Sequence, residues 1–103
     1  MGTRGQDWND VEMLRVLAFY ASQTNYPDKE EFRQLCSKLP NRTAASITLR
    51  LGNYSARDPK QKQAGKVGLH GGGKNVDLIW AKYSDGNGFL DSTKLLRACS
   101  LQL

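Results

Sequence analysis

The residue types best suited to recognition chemistry in this 103-residue sequence lie between Arg42 and Lys74. Arg42, Thr43, Ser46, Leu49, Arg50 and Asn53 recur at intervals that place them on the outer side or flanks of one helix, and Arg57, Lys60, Lys62, Lys66, His70 and Lys74 continue the series as a basic stretch. An arginine fork matches guanine O6 and N7 or grips a phosphate, an asparagine amide can pair with an adenine edge, and Ala45, Ser46 and Gly52 keep the surface low enough for close approach. Along the chain, Arg42, Arg50 and Arg57 have only Asp58 as a local acid. The pattern therefore predicts unneutralised cations facing a polyanion, with double-stranded DNA as the partner. The plainer alternative is a solvated helix face whose arginines balance nearby acids.

Other chemistries find less support. No pair of carboxylates and no serine or cysteine nucleophile with a nearby histidine stands out, and the single His70 cannot complete a zinc site. Cys36 and Cys99 lack a CxxC spacing and read as two buried, reduced thiols, with one disulfide as the alternative. Gly68 to Lys74 approaches the phosphate-loop pattern but lacks the Ser or Thr after the lysine, and the polar Gln61 to Lys66 stretch before it cannot be a buried strand. Both departures argue against nucleotide hydrolysis; loop amides with Lys66, His70 and Lys74 on phosphates, or no contact, are the two milder options. Asp85 to Asp91 looks like the middle of an EF-hand loop, yet registering Gly88 on the invariant glycine puts Tyr83 and Lys94 at the two anchoring ligand positions. A helix-linking turn is the better reading. No catalytic residues, cofactor or metal are expected.

These residues need elements to hold them, and the sequence predicts an all-α fold. Asn9 caps a first helix with Glu12 reaching back to it, and Val11, Leu14, Leu17, Ala18 and Ala21 form its inner stripe to near Ser22. Asp28 caps a second helix with Glu31 three places on, buried through Phe32, Leu35, Cys36 and Leu39 and stopped there by Pro40. After Asn41 and Arg42, Thr43 caps a third helix from Ala44 to Tyr54, with Ile47, Leu51 and Tyr54 inward. Two helices joined by so short a turn, covered by a preceding third, form a helix-turn-helix. Asp58 to Lys74 should be a mobile basic loop pinned by Val67 and Leu69. Asn75 then caps a short helix burying Val76, Ile79, Trp80 and Tyr83, Asp85 to Gly88 make a tight turn, and Asp91 caps a last helix buried through Leu95, Leu96 and Cys99. The expected organisation is a single domain, 1–103, divided into a helix-turn-helix core at 8–54, a basic glycine-rich loop at 55–75 and a C-terminal helical extension at 76–103.

Charge is segregated along the chain. Residues 1–37 carry net −2 and residues 38–74 net +7, while 75–103 are balanced, within a total of +5. A basic block with an acidic neighbour suits a polyanion approached from one side, because cations at phosphates release counterions. No apolar run approaches the roughly 20 residues that span a bilayer, and Met1 to Asp7 lacks the apolar segment of a signal peptide. The expected location is the cytoplasm, nucleoid-associated when DNA is bound, with no membrane partner.

Trp8, Glu12, the apolar pattern of the first helix, Phe32, and the run from Leu39 through Arg50 resemble a Myb/SANT-type three-helix domain, in which a tryptophan opens helix one and an arginine-threonine pair opens the recognition helix. Phe32 and Tyr54 stand where that family has later tryptophans. A wider stretch, Ser46 to Tyr54, Asp58-Pro59, Gly68-Leu69 and Ile79-Trp80, is similar to the N-terminal region of bacterial HNH-type, restriction-like endonucleases. That resemblance implies a DNA-recognition module of a restriction or phage-defence system, reading a sequence or a modified base. With one histidine there is no HNH site, so no cleavage carries over. The competing readings are a SANT-like protein-interaction module, for which the third helix lacks an acidic face, and a small adaptor or inhibitor.

Overall fold

Asn9 starts the first helix by a reciprocal exchange: its Oδ1 accepts from the Glu12 backbone N–H at 2.8 Å, while the Glu12 carboxylate accepts from the Asn9 N–H at 3.1 Å. In the computed structural model, which describes residues 8–22, 29–66, 68 and 71–103, this helix, α1, spans Asp10–Ser22. Met13, Leu14, Val16 and Leu17 form its buried face. Val11 and Ala21, expected inside, are exposed. The buried sector is set by neighbours on both sides of α1, which packs on three other helices, and Val11 lies roughly opposite its centre.

The second helix, α2, spans Lys29–Ser37 and ends two residues before the expected Leu39. There the Lys38 and Leu39 amides bond to the Leu35 and Cys36 carbonyls in a tightened last turn, and the Arg42 amide bonds to the Leu39 carbonyl. Pro40 makes a helical Leu39 unfavourable, yet the Leu39 side chain is still fully buried. The expected Asp28 cap lies outside the described residues.

Thr43 caps α3, Ala44–Arg57, by accepting from the Ser46 amide at 3.0 Å. Ile47 and Tyr54 are fully buried and Leu51 partly so. The helix runs three residues past the expected end and stops at Asp58, whose amide bonds to the Ser55 carbonyl while its carboxylate caps α4, Pro59–Gln63, through the Lys60 amide at 3.0 Å. Part of the expected 55–75 loop is thus helical. Asp-Pro is a helix-start signal in its own right, with an acceptor at the cap and a residue that needs no amide partner at the first position. Lysine- and glycine-rich composition obscured it.

The next helix, α5, spans Gly73–Lys82 with Gly72 at its cap, so Asn75 lies inside the helix and not before it. Gly71, Gly72 and Gly73 all have positive φ, which turns the chain into the helix earlier than a side-chain cap would. Asp85 closes the following turn by accepting from the Asn87 and Phe89 amides, and Ser84 and Leu90 form a single antiparallel bridge. Asp91 caps α6, Ser92–Gln102, through the Thr93 and Lys94 amides. Its buried residues are Leu95 and Ala98, with Cys99 partly covered; Leu96, expected inside, is 71% exposed. Both cysteines are free and only partly buried.

The described residues are all-helical, without a strand, and the radius of gyration of 13.2 Å is that of a compact chain of about 100 residues. Here α1 packs on α2, α3 and α6, while α3 packs on α5 and α4. One continuous core draws from five of these helices, including Leu14, Leu35, Ile47, Val76 and Leu95. At its centre the Tyr54 hydroxyl donates to the Met13 carbonyl at 3.0 Å, and Tyr20, Tyr54 and Trp80 meet with ring centroids 6.0–6.2 Å apart. Ile47→Ala is expected to lower the unfolding free energy in urea by about 2–5 kcal/mol. Leu96→Ala, on the exposed side of α6, should change it by no more than about 0.5 kcal/mol; comparable losses would contradict this assignment of the core.

Candidate nucleic-acid interface

The arginines expected at the recognition surface are largely engaged within the fold. Arg42 donates through Nε and Nη2 to the two carboxylate oxygens of Glu12 at 3.0 and 2.8 Å, and the two side chains are only 8% and 11% exposed. Its guanidinium also lies 4.9 Å from the centre of the Trp8 ring. Arg57 donates to Asp77 Oδ1 at 2.8 Å and to the Asn53 carbonyl at 3.0 Å. The expectation that Asp58 is the only counter-charge is therefore corrected. The acids come from α1 and α5, thirty and twenty residues away in sequence. Asp58 itself accepts a 2.6 Å hydrogen bond from the Tyr20 hydroxyl.

Hydrogen bonds from Arg42 hold the Glu12 carboxyl below its ordinary value, against the opposing effect of burial and with help from the Asn9 amide. The Tyr20 hydroxyl is pushed up by burial and then by its bond to Asp58, and Tyr54 by burial. Arg50 moves down, through burial first and then through repulsion from Arg42 and Arg57, with Tyr54 opposing.

The first two turns of α3 bury Ile47 and turn their other side outward. Ala44, Ala45, Thr48 and Leu49 are exposed, Leu49 to 55%, and Thr43 beside them is exposed as well. Ser46 is partly covered, its hydroxyl donating to the Thr43 carbonyl, and Thr48 donates to the Ala44 carbonyl. The last two turns are closed over. Gly68 lies so near the helix that a Cβ there would sit 2.2 Å from the Ala56 nitrogen and 2.7 Å from the Ser55 carbonyl carbon. Gly72 lies against Arg50 and Asn53 in the same way. As a result Asn53 is only 7% exposed and Arg50 is half-buried, its guanidinium 4.8 Å from the Trp8 ring centre.

The expected reading face of Ser46, Leu49, Arg50 and Asn53 is thereby split. Leu49 and part of Ser46 stay accessible, whereas Asn53 and Arg42 are buried. Thr48, Ala44 and Ala45 face outward instead, and Thr48 was absent from the expected set. The signal for it was available, since Thr48 stands next to buried Ile47 and one turn beyond exposed Ala44.

Lys60 and Lys62 on α4, Lys66 after it and Lys74 in the first turn of α5 are all exposed. The described ion pairs use Arg33, Arg42 and Arg57, and none of them uses a lysine. His70, Val67 and Leu69 lie outside the described residues. A groove of about 700 Å³ runs beside the lysines, floored by Phe19, Tyr20, Leu51 and Leu95 and edged by Lys60 and Lys66. Among the described residues no cluster of histidine, cysteine or carboxylate side chains could hold a metal ion, and no helix is long and apolar enough to cross a membrane. Comparison with known protein families, characterised proteins and solved structures finds no match to this chain.

Glu12→Gln keeps the shape of the cap but leaves Arg42 without its counter-charge, and is expected to cost about 3–5 kcal/mol in urea unfolding. Because the folded carboxyl titrates below its ordinary value, its stabilising effect is complete above the unfolded value of 4.5 and is lost as pH falls through the lower folded value. The wild-type stability should therefore decline through that acid window, and the Glu12→Gln protein should decline less steeply. Parallel acid profiles would contradict the role given to the pair.

Proposed function

We propose that this chain binds duplex DNA, with α2, the intervening turn and α3 acting as a helix-turn-helix whose second helix enters the major groove. The observation that carries the reading is the pairing of two surfaces: the uncharged outer side of Ala44 to Leu49 at the start of α3, and four exposed lysines that take part in no described ion pair. Helices of this kind meet base edges with their N-terminal residues, and Thr43, Ala45, Ser46, Thr48 and Leu49 occupy those positions. Threonine can bond to a base edge, and alanine or leucine can contact a thymine methyl. Lys60, Lys62, Lys66 and Lys74 are suited to flanking phosphates, where each charge neutralised adds to the salt dependence.

The resemblance to Myb/SANT domains and to the N-terminal region of HNH-type endonucleases supports the same assignment. It extends it to a recognition module of a restriction or phage-defence system acting in the cytoplasm, with a sequence or a modified base as its target. The SANT-like protein-interaction reading is disfavoured by α3, which has no acidic residue. In this reading the chain binds and does not cut.

Affinity for duplex DNA, followed by fluorescence anisotropy, is expected to fall steeply as salt rises; a flat response would overturn the proposal. Lys60→Ala and Lys62→Ala should each weaken binding to all duplexes alike and lower the salt slope by about 1. Thr48→Ala should instead reduce the preference for the best duplex over random DNA, by up to about 1–3 kcal/mol. Asn53→Ala, at a covered position, should act through stability.

A further inference from the structure

Arg50 is the exception among the arginines of α3. Arg57 is held by a carboxylate, as is Arg42 just before the helix, but the Nε and Nη1 atoms of Arg50 are buried and no group accepts a hydrogen bond from either. Trp8 covers one face of the guanidinium, which favours the charge yet offers no in-plane acceptor. A buried guanidinium edge without an acceptor is costly, and an ion or an ordered solvent molecule is one partner that relieves that cost.

The elements around this edge supply further donors. Gly71, Gly72 and Gly73 have φ of 126°, 83° and 64°, and Gly72 comes so close that a Cβ on it would stand 2.9 Å from Arg50 Nη1 and 2.4 Å from Val76 Cγ2. Only glycine lets the backbone pass there. The turn delivers the start of α5, whose cap residue has no side chain to accept the first amides of the helix. Lys74, in that first turn, is exposed. Guanidinium, open amides and ammonium are all donors, and the charged groups among them are all positive.

We propose that Arg50, the amides that open α5 and Lys74 form a seat for a phosphate-type oxyanion. Its tetrahedral oxygens can accept from the guanidinium edge and from the helix start together, which a planar carboxylate does less completely. Where the phosphate comes from rests on the DNA-binding reading: in that reading it belongs to the duplex backbone, placed beside the exposed half of α3. A free phosphate or a phosphorylated small molecule presents the same chemistry.

The test uses the full chain labelled with ¹⁵N and titrated with inorganic phosphate, chloride holding the ionic strength constant. The expected result is a saturable shift of the Arg50 Nε–H resonance and of the Gly73 and Lys74 amides, with the exposed Arg97 side chain unmoved as an internal reference. Arg50→Lys, which keeps the charge but loses the fork, should weaken that binding about tenfold. Lys74→Ala, at an exposed site, should weaken it as well, and serves if the Arg50 variant fails to fold. Absence of saturation at Arg50, or shifts matched at Arg97, would overturn the site. Duplex DNA added to the phosphate-loaded chain separates the sources. Displacement of phosphate from Arg50 supports the backbone as its source. Phosphate binding in a chain that does not bind DNA keeps the site and rejects the DNA-binding reading, whereas DNA binding with an unmoved Arg50 resonance and no phosphate saturation rejects the site alone.

Discussion

The Glu12 carboxylate is the group on which the arrangement of the first three helices depends. It accepts from the Asn9 amide that opens α1 and from two nitrogens of Arg42 in the turn that leads into α3. Arg42 in turn lies over Trp8, and the same indole ring carries Arg50 from the side of α3. A helix cap, an interhelical ion pair and a double cation–π contact thus share members. Such a network adds less to net stability than apolar burial, because both charges must be taken out of water, but removing either member of the Glu12–Arg42 pair leaves the other charge buried without its counter-charge. The apolar core can accept small slides of α1 past α3; the forked bond between Arg42 and Glu12 cannot. Its effect is to fix the register in which Ile47 and Tyr54 meet Met13, Leu14 and Leu17.

The difference between what the sequence discloses and what it hides follows the range of each interaction. Caps at Asn9, Thr43 and Asp91 and the Asp85 turn are closed by side chains reaching amides two to four residues on, so residue type and spacing suffice to place them. The pairs Glu12 with Arg42, Asp77 with Arg57 and Tyr20 with Asp58 span 20 to 38 residues, and no local pattern announces them. Helical periodicity alone assigned Asn53 to the outer face of α3. That reasoning assumes one buried side per helix, and here a second element covers the other side over its last two turns. Leu96 and Val11 fail for the opposite reason, as apolar residues beside a stripe to which they do not belong.

Glycine explains why that second covering is possible. Gly52 and Ala56, one turn apart, leave the outer surface of α3 shallow, and Gly68 lies against the backbone at Ser55 and Ala56 at a distance no side chain would allow. Gly72 repeats the device beside Arg50 and Asn53. Gly68 and Gly72 are therefore packing residues as much as turn formers, which composition alone does not reveal. They cover the last two turns of α3, while Ala44, Ala45, Thr48 and Leu49 stay exposed around the buried Ile47. The accessible part lies at the helix N-terminus, in the turn that Thr43 caps.

Arginine and lysine divide their work accordingly. Arg42 and Arg57, whose planar forks suit directed bonds to carboxylates, are used to assemble the fold, while Lys60, Lys62, Lys66 and Lys74 are left outside as solvated point charges. Sequence alone leaves the arginines free to read guanine or grip phosphate, beside lysines suited to phosphates. With Arg42 and Arg57 engaged internally, the exposed side chains at the start of α3 are uncharged, Thr48 and Leu49 among them. Arg50 stands between the two groups, buried like the structural arginines but unpaired like the lysines.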